Sequence, residues 1–283
     1  MERHTDLAVE LDVAAARIGN IVRLRQGDTH TTYRLSFDNR PAILKIYRRR
    51  TTEVELYRRL AHVGVPTPLV LTSTRSALLI EDLSVRTGWR LASSDDLNES
   101  LVMEQVAVWY RTLHIAAPGN FPENMPRDGD GLDATSLWRL GDALGLQHLP
   151  VWRLATDTID ELVSAMHKLP ETLIYNDFHY SNLAVGPAAA LMFDYDQMII
   201  GPAASDCRNV IGSLGPVSAQ SFLRAYGPID NRATALDSPV AALAALRRAA
   251  ARPQLPSWAE KLRAEIADGD FERTLRVALE WLR

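Results

Sequence analysis

Cysteine is almost missing: Cys207 is the only one in 283 residues. That rules out an intrachain disulfide and leaves no set of thiolates for a structural zinc site. A lone thiol fits a reducing compartment, so a cytoplasmic location is expected. Long apolar runs are missing too, since no stretch approaches the roughly 20 residues that cross a bilayer. The start, MERHTDLAVELD, is broken by acidic residues where an export signal needs an apolar run. No membrane partner is expected. Excess positive charge is also absent, and a net charge of −4 with a pI near 6.0 gives no general nucleic-acid surface. Neither GxSxG nor HExxH occurs, which argues against a nucleophile-elbow hydrolase and a zinc protease. No internal repeat stands out.

What remains is an ordinary globular composition, 47% hydrophobic and 23% charged, in a chain long enough for two lobes. The charge is uneven. Residues 1–82 carry 13 Lys and Arg against 10 Asp and Glu, whereas the remainder carries 18 against 25. A basic first part suits a polyanion, and an acidic second part suits a cationic small molecule.

From Ile21 the pattern is of short strands. IVRLRQ is followed by TTYRLSF, a turn at Asp38-Asn39-Arg40-Pro41, and AILKIY, which together predict a hairpin. TTEVELYRRLAHVG has helical spacing of Val54, Tyr57, Leu60 and Ala61, with Gly64 as a stop. PTPLVLTSTRSALLIEDLS adds two strands, and the first domain is expected to end at Asp82, leaving 83–283 as the second. LNESLVMEQVAVWYRTLHIAA reads as a long amphipathic helix, stopped by Pro118-Gly119 and followed by an irregular loop rich in Pro, Gly and Asp. Helices are expected across 136–169 and again beyond Pro202, with an alanine-rich one at 241–251. Between them TLIYNDFHYSNLAV and AAALMFDYDQMII read as two short buried strands ending in acidic and amide residues.

Lys45 stands mid-strand between Leu44 and Ile46. An ammonium there either lies on the solvent face of the sheet or meets an anion, and phosphate is the anion the pattern suggests. Phosphoryl transfer needs such a cation, metal ligands, and a carboxylate to orient the attacking hydroxyl. Tyr175-Asn176-Asp177-Phe178-His179-Tyr180-Ser181-Asn182 resembles the HGDxxxxN motif of the aminoglycoside phosphotransferase and choline kinase family. Met192-Phe193-Asp194 follows as an apolar strand ending in Asp, and Gly201-Pro202-Ala203-Ala204-Ser205-Asp206 resembles that family's GDPxxD segment.

The resemblance implies an α+β, bilobal, protein-kinase-like fold, with a small β-sheet lobe holding one helix and a larger, mostly helical lobe. It implies an ATP-dependent kinase acting on a small-molecule hydroxyl. Asp177 would be the catalytic base, Asn182 and Asp194 would hold Mg2+, and Asp206 would buttress the loop. Lys45 would meet the phosphates of ATP and pair with Glu53, or with the competing Glu55. The single glycine of the 26–31 turn, Gly27, would cover the nucleotide, and Glu81 and Leu83 would bind adenine through backbone groups. Two residues depart from the motif, because Tyr175 stands where the family has His and Asn176 where it has Gly.

His179 is read as a packing or substrate-side residue, His114 as structural, and Asp196 as a solvated turn residue or second metal ligand. A non-catalytic nucleotide binder is the first competing reading, weakened by retention of Asp177. A protein kinase is the second, weakened by the lack of an APE-type anchor. The family covers acceptors from aminoglycosides and macrolides to choline, homoserine and sugars. Asp128, Asp130 and Asp133 in the 119–135 loop favour a cationic acceptor, aminoglycoside-like or an amino sugar.

Overall fold

The computed structural model describes residues 4–119 and 121–283. Asn120, inside the expected acidic loop, falls outside the described residues, as do the first three residues of the expected leaderless start. The chain forms two compact units. The first comprises Met1–Asn124, Asp177–Met198 and Ser213–Gly227, and the second comprises Met125–Asn176, Ile199–Gly212 and Pro228–Arg283.

The first unit opens on a short helix, α1 (His4–Leu11), absent from the sequence expectation. Strands β1 (Ile18–Gln26), β2 (His30–Phe37) and β3 (Arg40–Tyr47) follow, then α2 (Glu53–His62), β4 (Val70–Ser73) and β5 (Ala77–Glu81). The five strands form an antiparallel sheet in the order β1-β2-β3-β5-β4. The β2–β3 hairpin turns on Asp38 and Asn39 at φ of 48° and 62°. Two positive φ values match the right-handed twist of the strands, and Asn and Asp tolerate them better than most residues.

Alternation divides the sheet into two faces. Tyr33, Leu35, Phe37, Ala42 and Leu44 are buried with Leu7 and Leu11 of α1 in one apolar cluster. Lys45 therefore projects to the opposite face, as period-two geometry requires. The unit also contains β6 (Arg90–Leu91), α3 (Ser100–Ala116), β8 (Leu183–Val185), β9 (Ala190–Met192) and α7 (Pro216–Tyr226), with β6, β8 and β9 in one sheet. His114 of α3 is buried, its Nδ1 2.8 Å from the Tyr226 hydroxyl of α7, which accords with a structural role.

The second unit is mainly helical: α4 (Ala134–Leu144), α5 (Pro150–Met166), α6 (Ala203–Gly212), α8 (Asn231–Ala250), α9 (Ser257–Ala267) and α10 (Asp270–Glu280). In it β7 (Thr172–Ile174) and β10 (Ile199–Gly201) pair antiparallel. The two buried strands expected from sequence are thus four short ones, since β7 and β8 are split by the 175–182 turn and β9 and β10 by the 193–198 turn. Asn176 in the first break and Asp194 in the second take positive φ values, which divert the backbone into turn conformations.

Helices α4 and α5 pack by close approach. Trp152 is buried and donates its indole N–H to the Leu137 carbonyl at 3.2 Å, and a Cβ placed on Gly141 would lie 2.1 Å from that nitrogen. Gly141→Ala is therefore expected to cost about 1–3 kcal/mol through overpacking. Chemical denaturation of the two proteins would measure it, and equal midpoints would mean that Trp152 moves aside freely.

Candidate active site

Within the first unit, β3 delivers Lys45 to a group of carboxylates. Its Nζ lies 2.7 Å from Glu53 Oε1 and 2.6 Å from Asp194 Oδ1. Glu53 opens α2 and is fully buried, a state that costs several kcal/mol for a carboxylate unless it is fully partnered. Its partners are Lys45, the Tyr47 hydroxyl donating to Oε2 at 2.7 Å, and the Tyr195 backbone N–H donating to Oε1 at 3.0 Å. Glu55 instead faces Arg59 one turn along α2. Lys45 thus pairs with Glu53, and the solvent-face alternative for Lys45 is excluded by its 6% exposure. Burial alone would lower the Lys45 pKa, but the charges of Glu53 and Asp194 outweigh it and raise the value. The ammonium persists at any ordinary pH.

Asp194 follows β9 at φ 69°, a left-handed conformation that Asp adopts at modest cost. Its N–H donates to the buried Tyr57 hydroxyl at 3.3 Å, and the rings of Tyr57 and Tyr195 meet tilted, with centroids 4.4 Å apart. The sequence reading gave Tyr47 and Tyr57 no part here. A signal existed, because Tyr47 follows Lys45 by two residues on the strand and Tyr57 follows Glu53 by four on the helix, each spacing placing the pair on one face.

Asp177 and Asn182 come together in the turn before β8. The Asn182 side-chain amide donates to Asp177 Oδ2 at 2.8 Å, and the Asn182 carbonyl accepts from Phe193 N–H at 3.0 Å, next to Asp194. Burial raises the Asp177 pKa, and the charges of Asp194 and Asp196 raise it further against the Asn182 hydrogen bond. Asp196, half-buried, is raised by burial and then by Asp194 and Glu53. It stands in the turn after β9, partly open to solvent. His179 is exposed, its Nδ1 accepting from Ser181 N–H at 3.2 Å, so it caps a turn instead of packing in a core.

A cavity of about 210 Å3 connects several of the expected nucleotide residues. Lys45 and Asp194 line one part, and Ile43, Ile80, Glu81 and Leu83 another. The Glu81 N–H and carboxylate both bond to Leu69, which leaves Leu83 the less committed of the two. Gly27 sits in the β1–β2 turn, donating to the His30 carbonyl at 3.0 Å, and is not among the residues lining that cavity.

In the second unit, Asp206 of α6 accepts from the N–H groups of Tyr175 and Asn176 at 2.6 and 2.8 Å. These precede Asp177 in the chain. Asn176 has φ 61°, which explains why Asn can replace the motif's glycine, and Tyr175 is fully buried.

The expected acceptor-attracting acids are engaged elsewhere. Asp130 accepts from Arg127 N–H at 2.7 Å, and Asp133 caps α4 through Ser136 N–H at 2.6 Å. Asp128 is buried, 3.0 Å from Ser205 Oγ, which lies 2.6 Å from Asp237. The one Ser205 proton serves one carboxylate, and Arg208 already pairs with Asp237 at 2.5 Å. Burial, then the charge of Asp237, raises the Asp128 pKa. A raised folded pKa gives stability that is present below the unfolded value and is lost as pH rises through the folded one. Asp128→Asn should therefore flatten the fall in melting temperature above about pH 4, and a melting series across pH with an unchanged slope would count against this.

The phosphotransferase enzyme family, APH, matches residues 20–237. No curated protein matched. Among solved structures, a choline/ethanolamine kinase family protein from Mesorhizobium loti aligns with 98% of this chain and 99% of its own at a TM-score of 0.65 and 18% identity. Amicoumacin kinase, bound to AMP-PNP, Ca2+ and its ligand, aligns over 96% and 97% at 0.64 and 16%. Spectinomycin phosphotransferase, bound to ADP and spectinomycin, aligns over 98% and 96% at 0.57 and 14%. At these identities the likeness establishes the fold, a protein-kinase-like α+β architecture. The family match covers most of the chain, and the chain belongs to the phosphotransferase enzyme family.

Proposed function

We propose that this chain transfers the γ-phosphate of ATP, its substrate, to a hydroxyl group of a small molecule, with Asp177 as the base. The observation that carries the proposal is the assembly in one unit of a buried cation, Lys45 with its partners Glu53 and Asp194, and the Asp177–Asn182 pair. A nucleotide binder without chemistry has no use for Asp177.

Asp177 takes the proton as the acceptor oxygen bonds to the γ-phosphorus; the bond from that phosphorus to the bridging oxygen breaks, and ADP leaves. The raised pKa of Asp177 suits this duty, since a base works best when its pKa approaches the working pH. Lys45 balances phosphate charge, and Glu53 with Tyr47 keeps the ammonium in place.

The Asn182 amide oxygen and the Asp194 carboxylate are hard donors of the kind Mg2+ prefers, and the crowding that raises Asp177 and Asp196 favours a cation nearby. Among the described residues no group of three or more His, Cys, Asp or Glu could hold a metal alone, so nucleotide oxygens and water would complete its shell. When bound, Mg2+ would offset charge on the phosphates.

For the aminoglycoside-like or amino-sugar acceptor expected from sequence, the acidic balance after residue 82 is the support that remains. That acceptor loses the support of Asp128, Asp130 and Asp133, whose carboxylates serve the second unit's own structure. ADP release measured with ATP, Mg2+ and a panel of amine-bearing, neutral and anionic alcohols tests the proposal. Turnover with at least one alcohol, abolished by Asp177→Asn, is the expected outcome.

A further inference from the structure

A second and larger cavity in the first unit, about 730 Å3, lies where β3 runs into α2. Its volume is within the range of small-molecule sites. Arg48, Arg49 and Arg50 line it consecutively, together with Thr51 and Thr52 before α2 and the β1–β2 turn. All three arginines are exposed, and among the described residues none forms an ion pair. A run of like charges most often marks a solvated face. Here it borders a concave space carrying hydroxyls, and guanidinium forks match phosphate and carboxylate oxygens.

The position of the cavity says what an anion there would be for. It shares His30 with the 210 Å3 cavity that holds Lys45, and its wall includes Asp196, whose neighbour in charge is Asp194. It therefore adjoins the phosphate end of the expected nucleotide site without containing Lys45, Asp177 or Asp194. On the phosphotransferase reading given above, we propose that Arg48, Arg49 and Arg50 hold the anionic group, phosphate or carboxylate, of the alcohol that is phosphorylated.

The test uses the full chain saturated with AMP-PNP and Mg2+, so that the nucleotide's own phosphate positions are filled, with inorganic phosphate as the probe in calorimetry. Phosphate should bind, and the triple variant Arg48→Ala, Arg49→Ala, Arg50→Ala should weaken it at least tenfold while AMP-PNP affinity stays within about twofold. The triple lysine variant, which keeps the charge and guards against a folding defect, should retain most of the binding. Absence of phosphate binding, equal binding by the alanine variant, or a matching loss of AMP-PNP affinity would each overturn the proposal.

Paired acceptors then separate the sources of the anion. Sugar phosphates, sugar carboxylates, amino sugars and parent sugars are compared by kcat/KM. The anionic member of a pair should be favoured at least tenfold, and the alanine variant should lose that preference through KM. Preference for the amino sugar overturns the proposal but leaves the phosphotransferase reading standing. Failure of every alcohol removes that reading and, with it, the acceptor role, while the calorimetry still reports whether the arginines bind an anion.

Discussion

Asp177→Asn is expected to lower phosphate transfer by at least about 10²-fold, close to 3 kcal/mol in the barrier, with ATP binding nearly unchanged. Asparagine keeps the size of the side chain and can still bond to Asn182, but it cannot take the acceptor's proton. A second readout separates a base from a merely structural residue. Burial together with Asp194 and Asp196 holds the Asp177 proton above the ordinary carboxylate range. The parent's kcat/KM should accordingly rise with pH through that raised value, an acid limb that the variant lacks. Turnover near the parent's with a true acceptor, or an identical acid limb, would remove Asp177 from the chemistry.

Lys45→Ala should reduce kcat/KM for ATP by about 10², because a buried ammonium contributes most where water is excluded. Glu53 would then keep only the hydrogen bonds of Tyr47 and Tyr195, so breaking this buried ion pair should also cost about 3–5 kcal/mol of stability, and the kinetics are read on protein shown to be folded. Glu53→Gln should give a smaller loss of activity, because the amide cannot hold the ammonium as a carboxylate does. Glu55→Gln should be silent, since Glu55 serves only Arg59 on the exposed side of α2. Steady-state kinetics on the four proteins decide this. An unaltered Lys45→Ala enzyme would refute the phosphate role, and a larger loss in Glu55→Gln than in Glu53→Gln would refute the pairing.

Much of this arrangement was legible in one dimension. The five-residue interval from Asp177 to Asn182 and the twelve from Asn182 to Asp194 are spacings of a chain that turns twice, and apolar stretches on either side mark the strands between. The hairpin at Asp38-Asn39 was equally visible, because few residue pairs accept two positive φ values. Lys45 between two apolar residues announced either solvent or an anion, but alternation alone cannot tell which face of a sheet is covered. The pattern of local spacing also left Glu53 and Glu55 in competition.

By itself, then, the sequence determined which chemical groups are present, their order, and the local elements that carry them, since propensity, turn chemistry and spacing act over a few residues. Only the tertiary structure decided which of those groups are committed to one another. Glu53 prevails over Glu55 because Tyr47 and the backbone of Tyr195, 142 residues away, converge on it. Asp128, Asp130 and Asp133 look alike as charges in a loop, yet one is buried beside Ser205 and two bind backbone N–H groups. Arg48, Arg49 and Arg50 look like a solvated run until the fold sets them round a cavity. A charge's neighbours and its access to water depend on residues far apart in the chain, and those two quantities determine whether it supports the fold or remains available to a ligand.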